Sequence, residues 1–233
     1  MADFVLVHGA WLGAWCWQRV LPALWGAGHR AHPVTLSGVG ERRHLRGRMP
    51  ITLSTHLADV IEVIEAGEMR DVVLVGHSYA GVVVTGVADR LAERIRHLVY
   101  LDAVVPRPGE SWSSGHNQET RRARRDAIAR DGTIPPADPS LYGLDGEDHA
   151  WVARRQTPQP GGVYDDPVRF DAARVEAVPR TFIDCHEPAL PTIEASRQRV
   201  REEQGWRTVR IATGHLPMVS APDALVRALL ELG

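Results

Sequence analysis

The sequence contains no lysine; all 27 residues in the combined count of lysine and arginine are arginine. A mechanism through a Schiff base needs a lysine amine, and the phosphate-binding Gly-Lys loop needs a lysine beside a glycine. Both are therefore excluded. The formal net charge of −2 gives no excess of positive charge that would favour nucleic acid or an anionic membrane as a partner.

Cysteine is nearly absent as well, with only Cys16 and Cys185 in the chain. Two cysteines are too few for a disulfide scaffold, and these two are not at metal-ligand spacing. We expect them to behave as small apolar residues. No basic leader precedes the first apolar segment, and no apolar run is long enough to cross a bilayer. We therefore expect a cytoplasmic protein.

Positive charge is concentrated in one short run of arginines. Its members are Arg121, Arg122, Arg124 and Arg125. The run is short and has the acidic neighbours Glu119 and Asp126, so we interpret it as the solvent-exposed face of a helix.

Short β-branched segments alternate with longer helical patterns along the 233 residues. This order is typical of a single α/β domain with a mostly parallel sheet and crossover helices. Several segments are apolar at successive positions, as expected for strands buried on both faces. The predicted strands are Phe4–Val7, His29–Leu36, Val72–Val75, Ile95–Leu101, Arg180–Cys185 and Arg207–Ile211. The predicted helices are Trp17–Trp25, Thr55–Ala66, Tyr79–Ala92, Ile193–Glu203 and Pro222–Leu232.

Residues 105–178, which we call the cap segment, interrupt this alternation. They are rich in proline, glycine, arginine and aspartate and hold no long apolar strand. Insertions too long for a simple connection are usually functional. We predict a small cap over the carboxyl ends of the strands, where open α/β sheets bind ligands. Its aromatic residues either line a substrate pocket or pack the cap onto the body: Trp112, Tyr142, Trp151 and Tyr164.

The sequence Gly-His-Ser-Tyr-Ala-Gly, residues 76–81, follows an apolar strand and opens a helical pattern. This context is that of a nucleophile elbow, a strained turn between strand and helix that exposes a serine hydroxyl. The residues two before and two after the serine must be small, and Gly76 and Ala80 are. We therefore predict that Ser78 is a nucleophile rather than only a helix cap.

The first predicted strand, Phe4–Val7, is followed by His8-Gly9-Ala10-Trp11, a segment we call the β1 loop. In hydrolases with a nucleophile elbow, a loop after another strand supplies one oxyanion donor, and the residue after the serine supplies the second. We predict that the N–H groups of Ala10 and Tyr79 form this oxyanion hole. Gly9 permits a tight turn, and His8 is expected to hold the loop by a hydrogen bond.

One of the eleven histidines has the position expected of a general base. In these hydrolases the triad follows the chain order serine, acid, histidine. His215 directly follows the last predicted strand and precedes the final helix, so we predict it as the base. His186 lies one strand too early. The sharp turn at Ser78 is expected to point the ring of His77 away from the site.

Two carboxylates are candidates for the acid that orients His215. Glu187 follows the strand Arg180–Cys185, in the loop where this acid usually lies, and Asp102 directly follows Ile95–Leu101. Asp184 is still within its strand. We expect Glu187 and keep Asp102 as the alternative. Either one would fix the imidazole tautomer and stabilise the imidazolium.

At these motifs the chain resembles a known family. The β1 loop with its strand, residues 76–81 and Gly214-His215 resemble the plant methyl esterase and hydroxynitrile lyase branch of the α/β-hydrolases. Residues 35–42 and 98–103 resemble bacterial carboxylesterases that hydrolyse pyrethroids. The resemblance covers nearly the whole chain and is weakest in the cap segment. It implies a six-stranded, mostly parallel sheet flanked by helices, with the acid in the loop that holds Glu187.

Together these observations predict a serine carboxylesterase that hydrolyses a small, largely apolar ester through an acyl-enzyme, without metal or organic cofactor. One alternative is a lyase acting on cyanohydrins. The resemblance implies that such lyases carry a lysine and a threonine where this chain has Leu216 and Gly9. The other alternative is a ligand-binding protein of the same fold, which would have no need of both Ser78 and His215. Oligomeric state is not predicted.

Overall fold

The computed structural model describes residues 1–233, and a parallel β-sheet lies at its centre. The strands are β1 (Asp3–Val7), β2 (Arg30–Val34), β3 (Val72–His77), β4 (Ile95–Leu101), β5 (Thr133–Ile134), β6 (Gln159–Pro160), β7 (Arg180–Cys185) and β8 (Trp206–Ile211). Six of them form the sheet in the order β2-β1-β3-β4-β7-β8, and every neighbouring pair is parallel. The short strands β5 and β6 pair only with each other.

Helices connect the strands and cover the sheet. They are α1 (Leu21–Gly26), α2 (Leu53–Ala66), α3 (Ala80–Arg90), α4 (Gln118–Asp131), α5 (Gly146–Ala153), α6 (Ala172–Glu176), α7 (Glu194–Glu202), α8 (Pro217–Ser220) and α9 (Pro222–Leu230). Every residue of β1 and β3 is buried, as expected for central strands covered on both faces. No helix has the length and apolar character needed to cross a membrane.

The predicted sheet is confirmed, with small differences at its boundaries. Strands β4 and β7 have the predicted limits, and β3 continues two residues further, to His77. Helix α2 begins two residues earlier than predicted, at Leu53. The reason is a capping box, in which the backbone N–H of Thr52 donates to the hydroxyl of Thr55 over 3.2 Å.

The cap segment contains helices α4, α5 and α6. The arginine run indicated a helix at α4 but not its limits, and α5 and α6 were not predicted from the sequence. Ala127 is the only buried residue of helix α4. The helix therefore has no apolar stripe from which the sequence could predict its limits. Its ends do carry local signals. The side chain of Asn117 accepts a hydrogen bond from the Thr120 N–H at the start, and Gly132 adopts a left-handed conformation at the end.

Both cysteines are free thiols in the core, as the sequence predicts. Burial raises the pKa of Cys16 and of Cys185, which keeps both thiols protonated and unreactive. The expected cytoplasmic location stays a prediction.

The strand order places several strand-to-helix loops side by side. The register pairs Val7 of β1 with Gly76 of β3, and His77 of β3 with Leu101 of β4. The carboxyl ends of these parallel strands therefore meet at one edge of the sheet, where open α/β sheets bind their ligands. The β1 loop, Ser78 and Asp102 all leave the sheet at this edge.

The stability of the sheet is expected to depend on side chains such as Leu74, which is 0% exposed in β3. Leu74→Ala should lower the free energy of unfolding by about 2–5 kcal/mol, because it leaves a cavity in a close-packed core. Leu141→Ala is the matched control, since that leucine is 63% exposed, and its effect should stay within about 0.5 kcal/mol. Urea denaturation measures both. Equal losses would contradict the placement of β3 at the centre of the core.

Candidate active site

Ser78 lies at a sharp bend directly after β3. Its φ of 55° falls in the left-handed region, which residues other than glycine rarely adopt. The backbone around it holds the bend. The N–H of Ser78 donates to the Leu101 carbonyl over 3.2 Å, and the Ser78 carbonyl accepts from the N–H groups of Gly81 and Val104. The end of β4 thus fixes the turn that carries the serine, in the geometry of a nucleophile elbow.

The predicted need for small residues around Ser78 is visible at Gly76. A Cβ atom added there would lie 2.5 Å from Cγ2 of Val84 and 2.8 Å from the carbonyl oxygen of Ala80. Strand β3 and helix α3 therefore approach too closely for any side chain at this position. The second small residue, Ala80, is completely buried.

His215 follows β8 and lies between Ser78 and a carboxylate. Its Nε2 is 2.8 Å from Oγ of Ser78, and its Nδ1 is 2.6 Å from Oδ2 of Asp102. A carboxylate only accepts hydrogen bonds, so the proton of the neutral ring is on Nδ1. Nε2 is then free to accept the hydroxyl proton of Ser78. This arrangement is that of a Ser–His–Asp triad.

The structure corrects the prediction that Glu187 is the partner of His215. The side chain of Glu187 is 66% exposed, and its Oε1 lies 3.5 Å from Nε2 of His186. Its backbone N–H instead donates to the carbonyl of Thr213 over 2.9 Å. The loop after β7 therefore supports the segment before His215 through its main chain, and the carboxylate at the imidazole is that of Asp102.

Asp102 stands where β4 ends. Its φ of 41° turns the chain out of the strand, and its N–H donates to the Ile183 carbonyl of β7 over 2.8 Å. Because β4 is the direct neighbour of β3, the residue after β4 lies beside the turn that carries Ser78. Only the order of strands in the sheet reveals this proximity. In the sequence alone, Glu187 has the loop position usual for the acid, so the sequence favours Glu187 over Asp102.

A buried arginine that we did not predict holds the other oxygen of Asp102. Arg197 of α7 has a side chain that is 4% exposed, with Nη2 2.6 Å from Oδ1 of Asp102 and Nε 2.7 Å from Oδ1 of Asp184. Its Nη1 donates to the Leu190 carbonyl over 2.9 Å. Burial lowers the pKa of Arg197, but the two carboxylates outweigh this effect and the net pKa is raised. The guanidinium therefore stays charged and fixes the Asp102 carboxylate.

The β1 loop and the elbow present two unused hydrogen-bond donors. Ala10 and Tyr79 are buried, and their N–H groups donate no hydrogen bond within the protein. Buried N–H groups are nearly always paired, so two free ones form a ready site for an anionic oxygen. Gly9 brings the loop against the serine, because a Cβ atom added there would lie 2.7 Å from Cβ of Ser78.

The cap segment holds the β1 loop at Trp11. This residue has a φ of 67°, and its N–H donates to Oε1 of Gln159 over 3.0 Å. Its indole N–H donates to the Ile134 carbonyl over 3.0 Å, and its own carbonyl accepts from the Thr157 N–H over 2.9 Å. The position of the adjoining Ala10 N–H therefore depends on the cap segment, a relation that we did not predict.

His8 anchors the same loop, as expected. Its Nδ1–H donates to the Gly9 carbonyl over 2.7 Å, and its Nε2 accepts from the Leu36 N–H over 3.1 Å. Burial lowers the pKa of His8 to about 4, so the ring is neutral near pH 7 and keeps both roles.

The ring of His77 is not where the sequence predicted it. It lies against the site rather than away from it. Its Nδ1 accepts from the Gly9 N–H over 3.2 Å, and its Nε2–H donates to the carbonyl of His215 over 2.8 Å. Burial and the neighbouring His215 lower the pKa of His77, so the ring stays neutral. His77 therefore connects the β1 loop to the loop that carries His215.

Aromatic residues of the cap segment contact this centre. The Trp112 ring lies 4.9 Å from that of Tyr79, and the Tyr142 ring lies 5.5 Å from that of His215, measured between centroids. Trp151 packs against another tryptophan, 5.0 Å away. Trp112, Tyr142 and Tyr164 are buried, and the ring of Tyr164 stacks on that of His116 within the cap segment. These contacts fit the expectation that the aromatics pack the cap, and they place Trp112 and Tyr142 next to residues of the site.

Comparison with known proteins connects this geometry to a family. The sequence matches the Alpha/beta hydrolase family over residues 4–228. The carbendazim hydrolyzing esterase of Nocardioides sp. (strain SG-4G) is 39% identical over 247 residues, which cover 100% of both chains.

Solved structures share the fold over nearly their whole length. An extracellular alpha/beta-hydrolase from a Paenibacillus species has a TM-score of 0.84 at 19% identity and covers 100% of this chain and 99% of its own. A pyrethroid hydrolase from Sphingobium faniae JZ-2 has a TM-score of 0.75 at 22% identity, with 99% and 96% covered. The chain therefore belongs to the alpha/beta hydrolase family and is a carboxylic ester hydrolase. The predicted family and fold are confirmed.

The stability of this centre is expected to depend on Arg197. Arg197→Met leaves the buried carboxylate of Asp102 without its cationic partner, which should cost about 3–5 kcal/mol of folding free energy. Arg201→Met on the same helix is the control, because that side chain is 61% exposed and pairs only with Glu194, a surface pair worth about 0–1 kcal/mol. Chemical denaturation separates the two variants. If both unfold at the same denaturant concentration, Arg197 does not compensate the buried charge.

Proposed function

We propose that the chain hydrolyses small carboxylic esters through an acyl-enzyme on Ser78, with His215 as general base and Asp102 as the acid that orients it. The observation that carries the proposal is the pair of hydrogen bonds at one imidazole, 2.8 Å to Ser78 and 2.6 Å to Asp102. A serine hydroxyl in this position is activated by its adjacent base, which is the requirement for nucleophilic attack on an ester.

In the first half of the cycle, Nε2 of His215 takes the hydroxyl proton as Oγ of Ser78 attacks the ester carbonyl carbon. Asp102 stabilises the imidazolium that forms. The carbonyl oxygen becomes an oxyanion and accepts hydrogen bonds from the N–H groups of Ala10 and Tyr79. Loss of one such donor typically costs about 3 kcal/mol of transition-state stabilisation.

The second half returns the enzyme to its starting state. His215 donates its proton to the departing alkoxide oxygen as the carbon–oxygen bond of the ester breaks, which releases the alcohol and leaves the acyl group on Ser78. A water molecule then gives a proton to His215 and attacks the acyl carbon. The carboxylic acid leaves, and the proton returns to Oγ of Ser78.

The aromatic residues next to the site support a substrate with a largely apolar body, covered by the cap segment. The ring of Trp112 packs on that of Tyr79, the residue after the nucleophile, and the ring of Tyr142 lies beside the base. Aromatic faces of this kind bind alkyl or aromatic groups through buried area and ring contacts. The esterase character of the relative that is 39% identical supports the same reaction class.

Removal of the nucleophile is the first test. Ser78→Ala should lower the rate of p-nitrophenyl butyrate hydrolysis by at least about 10³-fold and abolish the nitrophenol burst, because no acyl-enzyme can form. Ser140→Ala, at an exposed serine of the cap segment, should leave the rate unchanged. Stopped-flow absorbance measures both. An intact chain that binds the ester without a Ser78-dependent burst would instead be a ligand-binding protein.

The choice of acid is tested by comparing two amide substitutions. Asp102→Asn should lower kcat by up to about 10⁴-fold, because the amide favours the wrong imidazole tautomer. Glu187→Gln should stay within about twofold, since that carboxylate lies in solvent. Steady-state rates on the same nitrophenyl ester distinguish them. The reverse pattern would restore the acid expected from the sequence.

A further inference from the structure

One arginine of the run at residues 121–125 does not lie on the solvent face that we expected from the sequence. Arg122 and Arg125 are exposed, but Arg124 is half-buried. Its guanidinium carbon lies 4.8 Å from the ring centroid of Trp112 and 5.4 Å from that of Trp11. The interpretation of the run as an exposed face is therefore wrong for this residue, which turns from α4 into the interior.

Arg124 has no anionic partner inside the protein. No carboxylate oxygen lies within 4 Å of its guanidinium, whereas the adjacent Arg125 pairs with Asp165 at 2.9 Å. The groups in contact with the guanidinium of Arg124 are aromatic and imidazole rings. Its Nη1 lies 3.3 and 3.4 Å from the two ring nitrogens of His116, a position over the ring rather than along a lone pair. Burial and the arginine charges lower the pKa of His116 to about 3.

This lack of a counter-ion is costly. Burial lowers the pKa of Arg124, with the tyrosine hydroxyl of Tyr164 as a partial compensation. The aromatic faces stabilise a guanidinium only modestly. A desolvated cation without an opposite charge is unfavourable in a folded protein, so such groups are normally paired or bind a ligand.

Arg124 stands over the site already described. Trp11 directly follows Ala10, and the Trp112 ring packs on that of Tyr79. The guanidinium therefore lies over two rings, one on the residue after Ala10 and one packed on the ring of the residue after Ser78. On the side of His215, the hydroxyl of Tyr142 is buried without a hydrogen-bond partner. Burial raises the pKa of Tyr142, and the positive charge of Arg124 partly offsets this rise.

We propose that Arg124 binds a carboxylate on the substrate, at the end of the acyl chain away from the scissile ester. The preferred substrates are then half-esters of dicarboxylic acids, with an apolar chain between the two ends. A guanidinium matches a carboxylate in geometry and can donate two parallel hydrogen bonds to it. The Tyr142 hydroxyl is available as a further donor. This proposal rests on the proposed function, since it names the substrate class of the same site.

The test measures kcat/KM for mono-p-nitrophenyl succinate, glutarate and adipate beside neutral p-nitrophenyl alkanoates of the same chain lengths. The wild-type chain should prefer the half-ester at one or more lengths. Arg124→Gln should lower kcat/KM for that half-ester by at least about tenfold, mainly through KM, because it removes one partner of a charge-assisted hydrogen bond. Its effect on the neutral ester should stay within about threefold.

Arg122→Gln is the matched control on the same helix, since that side chain is 85% exposed and faces solvent. It should leave both substrate classes unchanged. Two results would overturn this proposal and leave Arg124 with a role only in packing the cap. One is a wild-type chain that hydrolyses neutral esters but prefers no half-ester at any length. The other is an Arg124→Gln variant that hydrolyses both classes equally more slowly. Failure of the wild-type chain to hydrolyse either class would instead overturn the proposed function.

A second measurement does not depend on the folding of a variant. Free glutarate should inhibit neutral-ester hydrolysis by the wild-type chain competitively, because its carboxylate occupies the same position. Glutaramide has the same length without charge, and it should inhibit at least about tenfold more weakly. Equal inhibition by the two compounds would overturn the carboxylate site.

Discussion

The site depends on one imidazole ring held by hydrogen bonds on both sides. Ser78, Asp102 and His215 follow three different strands, and the ring of His215 lies within 2.8 Å of both partners. Only one tautomer satisfies both contacts, since a carboxylate accepts the Nδ1 proton and leaves Nε2 as a base. Arg197 holds the carboxylate in place by binding its other oxygen. The proposed activation of the serine rests on this arrangement.

The parallel sheet and the cap segment build the rest of the site around that ring. The sheet brings the ends of β1 and β3 together in register, so the β1 loop lies against Ser78. The cap segment then fixes the loop, because Gln159 accepts the Trp11 N–H next to Ala10. Its Arg124 lies over the rings of Trp11 and Trp112. The body of the domain thus supplies Ser78, Asp102 and His215, and the cap segment positions the β1 loop beside them.

Local patterns were enough to predict the strands, the elbow and the positions of Ser78 and His215, since each is defined by neighbours within a few residues. The acid was not predictable in this way. Glu187 has the usual loop position, but the choice of Asp102 depends on β4 being the neighbour of β3. The inward turn of Arg124 was likewise hidden, because the polar sequence of α4 carries no apolar stripe that marks its buried face.

Mass spectrometry of the chain after reaction with a fluorophosphonate tests the central claim most directly. Such reagents trap a serine only when an adjacent base activates it and nearby donors stabilise the phosphoryl oxygen. We expect one adduct per chain, on the peptide that contains Ser78. An unmodified chain, or an adduct on a different residue, would contradict the account.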